Sequence, residues 1–160
     1  MGQFTVALIV AATFGNLDCV RVGGRWFEPA VRRAVHGAAL RLADPACGRV
    51  LTDFRDRQGR PLRDNLEKQD ADATSYVRRI FFYDGSGEAP CRRPGVYAFT
   101  APGSRVVRAC PALGWLASTE DERAEAVVIH EVLHTLGLGE DQPSSEQITA
   151  MVHRRCGRAP

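Results

Sequence analysis

The chain has 160 residues, 44% of them apolar and 25% charged, with a formal net charge of +2. That length suits one domain, and the composition excludes collagen-like, mucin-like and largely disordered chains. So small a charge gives no reason to expect a nucleic-acid partner, and no stretch of about 18–20 apolar residues offers a membrane span.

Phe4 to Phe14 reads FTVALIVAATF, without a charge. It is too short for a spanning helix and fits the apolar region of an export signal. It fits a buried strand equally, since Thr5, Val6, Ile9 and Val10 suit one. Residues 1–15 are therefore a signal peptide or a first strand, and residues 16–160 a single domain. The five cysteines are Cys19, Cys47, Cys91, Cys110 and Cys156, widely spaced and without a C-x-x-C pair. That spacing reads as disulfides rather than a metal site and tilts the reading towards a secreted or periplasmic protein. Four cysteines allow three connectivities, and the sequence does not choose among them.

Glu28 to Ala43 is predicted as an amphipathic helix, with Ala30, Val31, Ala34, Val35, Ala38, Ala39 and Leu42 on its apolar face. His36 lies in it as a surface or packed histidine. Asp44-Pro45 ends it. Arg49 to Phe54 is a strand candidate, and Asp56 to Arg60 a turn. Arg63 to Lys68 and Ala73 to Arg79 are expected to be short helices. Ile80 to Tyr83 is the strongest strand signal, closed by Asp84-Gly85-Ser86-Gly87. Gly95 to Thr100 and Arg105 to Cys110 are two further strands, joined as a hairpin through Pro102-Gly103. Ser144 and Gln147 mark the start of a C-terminal helix with Ile148, Met151, Val152 and Cys156 at helical spacing. Cys156 and Cys110, which ends a strand, make an attractive disulfide pair. The expected class is α+β in one domain with a mixed sheet.

The chemistry is concentrated at His130-Glu131-Val132-Leu133-His134, an H-E-x-x-H match. The motif works only on a helix, where residues four apart share a face. Ser118 and Thr119 stand at capping-box spacing from Asp121 and Glu122, which predicts a helix start there. Ala124, Ala126, Val127, Val128, Ile129, Val132, Leu133 and Leu136 make this helix apolar on most sides, hence buried. Two histidines and a glutamate inside it are costly without a partner, and a metal ion is such a partner. Neutral His130 and His134 can offer imidazole nitrogens to one Zn²⁺. Glu131 lies about 100° round the helix, placed to take a proton from water rather than to ligate.

The stretch HEVLHTLGLGED, His130 to Asp141, resembles the extended H-E-x-x-H-x-x-G-x-x-(H/D) signature of the metzincins among the zincin metallopeptidases. Gly137 matches the family glycine, where the active-site helix ends and the chain turns. The resemblance carries the third ligand to Glu140, where the family has histidine or aspartate. Asp141 is its rival, and Glu146 and His153 are candidates outside the motif. Met151 is read as core packing of the last helix, not as the family's methionine turn. The resemblance further implies a small zincin-like domain in which the strand Gly95 to Thr100 borders the cleft and pairs with an extended peptide. Tyr97 or Tyr83 would then stand near the oxyanion.

The function expected from these residues is zinc-dependent hydrolysis of peptide bonds by a metalloprotease, probed through Glu131 as general base. The alternative is a catalytically inert, zinc-stabilised binding module of the same fold. Glu131 separates the two, because a structural site needs no base beside its histidines. The partner is a peptide or protein substrate, with no nucleic acid, no stable membrane span and a monomeric state.

Overall fold

Short apolar runs bounded by glycine and proline alternate with longer helical patterns, and the computed structural model of the protein shows where each settles. It describes residues 19–157; the Phe4–Phe14 stretch lies outside the described residues. In chain order the elements are β1 (Val20–Arg21), α1 (Phe27–Ala43), α2 (Pro45–Gly48), α3 (Val50–Asp53), α4 (Leu62–Glu67), α5 (Ala73–Val77), β2 (Phe81–Asp84), β3 (Ala98–Phe99), β4 (Val106–Ala109), α6 (Pro111–Thr119), α7 (Asp121–Thr135) and α8 (Ser145–Cys156). The fold is α+β, as the sequence pattern implies.

The strands form a mixed four-stranded sheet in the order β1-β2-β4-β3. β1 and β4 flank β2 in parallel, with Phe82 opposite Val20 and Val107. β3 runs antiparallel to β4 and is an edge. Gly103, at a φ of +82°, turns the predicted β3–β4 hairpin. The core lies between the sheet and the helices α1, α6 and α7, filled by Phe82, Leu113, Leu116, Ile129 and Leu133, all essentially inaccessible to solvent.

Helix α1 buries the predicted alanine and valine face against α6 and α7. Gly37 permits close approach to α7, since a Cβ there would overlap the Glu125 carboxylate. Arg41 then ties three elements together. It pairs with Glu125 and Glu122 of α7 and donates to the Cys156 carbonyl at the end of α8 at 2.7 Å.

Three expectations are corrected. Arg49 to Phe54 is not a strand but the helical turn α3, because Val50, Leu51 and Phe54 are buried while Thr52 and Asp53 are exposed. That one-sided burial suits a helical turn and not the alternation of a half-buried strand. Ser118 and Thr119 do not cap α7. They belong to the last turn of α6, where their hydroxyls donate back to the Gly114 and Trp115 carbonyls at 2.9 and 3.2 Å. α6 itself starts with proline in its first turn and buries Leu113, Leu116 and Ala117 at helical spacing. Finally, Cys110 pairs with Cys91, and Cys156 with Cys47. The end of β4 lies beside the loop after β2, where the Gly85 amide donates to the Ala109 carbonyl at 2.9 Å. The end of α8 lies instead against α2. The predicted start of α8 is correct, with Ser144 and Gln147 forming a reciprocal capping box.

The Cys47–Cys156 bridge spans 109 residues, and loss of a native disulfide in a small exported domain costs about 2–5 kcal/mol. Cys47→Ser is expected to lower unfolding free energy by an amount in that range, read by denaturant titration. Peptide mapping without reduction should recover the 47–156 and 91–110 pairs, with one alkylated thiol at Cys19.

Candidate metal centre

The site is built by one helix end and the turn that follows it. α7 carries His130, Glu131 and His134, all buried. The helix stops at Leu136, and Gly137 takes a φ of +105°, a left-handed conformation that glycine adopts without the cost of a Cβ. The chain reverses there and brings Glu140 back over the histidines.

Oε1 of Glu140 stands 3.1 Å from Nε2 of His134 and 3.5 Å from Nε2 of His130. The two Nε2 atoms are 3.0 Å apart. Among the described residues, His130, His134 and Glu140 are the one group of histidine, cysteine and acidic side chains close enough to hold a metal ion, with ligand atoms within 4.8 Å of one another. Asp141, Glu146 and His153 are not in it. His153 instead reaches the outer wall of the cleft.

Hydrogen bonds on the far side of each ring orient the ligand atoms. Nδ1 of His134 lies 2.8 Å from the Leu138 carbonyl. A carbonyl only accepts, so Nδ1 carries the proton and the lone pair of neutral His134 sits on Nε2. Nδ1 of His130 lies 3.0 Å from Oγ1 of Thr149 on α8, a hydroxyl able to accept its proton. Such outer partners are the usual way in which metal-binding imidazoles are aimed. Burial first, and the neighbouring His134 second, lower the proton affinity of the His130 imidazole and favour its neutral form.

These residues fit a divalent cation. In the tautomer in which Thr149 accepts from Nδ1 of His130, as the Leu138 carbonyl accepts from Nδ1 of His134, two imidazole lone pairs and a carboxylate oxygen converge with no hydrogen between them. Two nitrogens and one oxygen suit zinc and other borderline transition metals.

Glu131 is in a different situation. Its Oε2 is buried and has no hydrogen-bond partner among the described residues, a rarity that calls for a reason. Burial, and secondarily the charge of Glu140, push its carboxyl up to about 8. It lines a cleft of about 370 Å³ together with His130 and His134. One wall of that cleft is the edge strand β3 with its flanking residues Tyr97 and Thr100, and the other includes Thr149 and His153 of α8. Tyr97 thus lies in the wall of that cleft. Tyr83 does not: on β2 it stacks on Phe81 and lies under the guanidinium of Arg108 from β4.

Thr149 escapes sequence reasoning. It follows Ile148 in an ordinary helical pattern, and only the packing of α8 against α7 reveals its role. No protein-family model, no curated protein and no solved structure matches this chain.

The protein is expected to bind one equivalent of a divalent metal ion, measured by metal analysis after dialysis. His130→Ala and His134→Ala should abolish stoichiometric binding, and Glu140→Ala should weaken it markedly. Thr149→Val should weaken it by about 10–100-fold, the usual cost of losing an outer partner. Asp141→Ala should bind as the parent does, and a larger loss there than in Glu140→Ala would reassign the third ligand.

Proposed function

We propose that this protein is a zinc-dependent peptidase of zincin type that uses Glu131 as its general base. The observation that carries the reading is the Glu131 carboxyl: buried, with an Oε2 that has no hydrogen-bond partner among the described residues, and adjacent to two histidines and a carboxylate that can hold a metal. The H-E-x-x-H-x-x-G pattern of residues 130–137 supports it.

When bound by His130, His134 and Glu140, zinc supplies a Lewis acid that polarises a carbonyl and makes water acidic near neutral pH. The charge of a cation held beside it would favour the ionised form of Glu131, whose carboxylate can then accept the proton of the attacking water. Its raised proton affinity lets it keep that proton and then deliver it to the departing amine. Its burial keeps bulk water from competing for the same oxygen.

Substrate placement follows from the sheet. β3 is an edge strand and its residues line the cleft. An extended peptide adding to that edge gains main-chain hydrogen bonds along its length. Tyr97, half-buried in the same wall, offers a phenol to the developing oxyanion. The two disulfides favour an oxidising compartment as the place of action.

Glu131→Gln should keep the fold and the zinc but lose about 10²–10⁴-fold of the hydrolysis rate, the usual worth of a general base. The assay is cleavage of casein, with chelator-treated protein as blank. A variant that cleaves as fast as the parent removes Glu131 from the mechanism. Parent protein that holds zinc yet cleaves nothing across a broad peptide library is the inert binding module instead.

A further inference from the structure

Asp56 is among the few buried charged side chains, 7% exposed, and the mechanism above does not use it. It sits in the tight loop between α3 and α4, closed by an Asp56 amide bond to the Arg60 carbonyl at 2.8 Å. Its carboxylate accepts four hydrogen bonds. The Gln58 and Arg60 amides donate to Oδ1 at 2.9 and 3.0 Å, and Arg60 Nε and Asn65 Nδ2 donate to Oδ2 at 2.9 and 2.8 Å. Burial alone would raise its pKa, but the bonds from Asn65 first and then Arg60 outweigh it and hold the carboxyl well below the usual range.

Asn65 Nδ2 also donates to the Leu136 carbonyl at 3.0 Å. That carbonyl is one of those at a helix end that lack an intrahelical partner. The turn beyond it rests on the same pair of side chains. A Cβ placed on Gly137 would stand 3.4 Å from the Asp56 Cβ and 3.6 Å from Asn65 Nδ2. Two residues after Leu136, the Leu138 carbonyl orients His134; two residues after that comes Glu140. The Glu140 side chain is 55% exposed, so little packing restrains it, and its reach to the histidines depends on where the turn is seated.

We propose that Asp56 and Asn65 are positioning residues of the metal centre, anchoring the Leu136–Leu138 turn so that Glu140 and the His134 ring meet at one point. The proposal rests on the metal-centre reading. The ionised Asp56 fixes the Asn65 amide, and the amide fixes the turn. Charge-assisted bonds of this kind hold geometry more tightly than neutral ones, which suits a seat that must hold an exposed ligand in place.

The test is metal binding by the purified full chain, read with Co²⁺ as a visible-spectrum probe and with Zn²⁺ by chelator competition. The parent should give a ligand-field spectrum of a low-coordinate site. Asn65→Ala should weaken Zn²⁺ about tenfold or more and change the Co²⁺ band shape. Asn65→Asp, nearly the same size but without the donor, should do at least as much harm. In a Glu140→Ala background the loss caused by Asn65→Ala should shrink, because coupled residues do not add. Asp56→Asn, which keeps the side-chain volume, provides a second entry to the network and should change the same spectrum. Unchanged affinity and spectrum in both Asn65 variants, or losses that multiply independently of Glu140, overturn the proposal while leaving the metal centre intact. A parent that binds neither ion overturns the metal centre itself.

Discussion

Three lone-pair donors, the Nε2 atoms of His130 and His134 and Oε1 of Glu140, crowd within 4.8 Å of one another at the end of a buried helix. Bringing such groups together out of water is unfavourable unless something positive joins them. Every neighbouring element bears on that convergence. α7 supplies the two rings from successive turns, and Gly137 reverses the chain so that a third donor can return. The Leu138 carbonyl and the Thr149 hydroxyl hold the rings from behind. Without these outer contacts the same residues would be two histidines in an apolar helix and a glutamate in solvent.

The frame explains how so small a sheet can carry the site. α7 is clamped on one side by α1, where Gly37 allows close contact and Arg41 bridges to Glu122 and Glu125. On the other side it meets α8, whose end is tied through Cys156 to Cys47. The second disulfide fastens the segment leading to β3 onto the end of β4. The cleft therefore lies between parts that are covalently or ionically anchored. Its two walls, β3 and α8, are the ones next to the cross-links, which limits how far they can separate.

What the sequence makes legible follows from how local each signal is. The α1 face, the Ile80–Tyr83 strand, the hairpin at Gly103 and the Ser144 capping box all rest on residues within a few positions of one another, and each is found close to where it was expected. His130, His134 and Glu140 come together because a helix and one turn are enough to do it. The errors are of another kind. Arg49 to Phe54 is too short for its period to distinguish strand from helical turn. Ser118 and Thr119 satisfy a capping pattern but spend their hydroxyls on the helix before. The cysteine pairing, Thr149 and Asn65 depend on contacts between distant segments, and nothing in their immediate neighbours announces them.

The two glutamates of the site show why residue type alone does not assign a role. Glu131 and Glu140 carry the same carboxyl group, yet one is 6% exposed with an oxygen that has no partner among the described residues, and the other is 55% exposed and faces two imidazoles. A buried carboxyl has a raised affinity for protons, which suits a group that takes one up and gives it back. A carboxylate oxygen that faces two imidazole nitrogens suits a ligand. Position on the chain completes the distinction. Glu131 stands within the helix beside His130 and is buried there, whereas Glu140 stands on a turn and reaches inward along the length of its side chain. A shorter aspartate at the same place would require the turn to lie closer to the histidines.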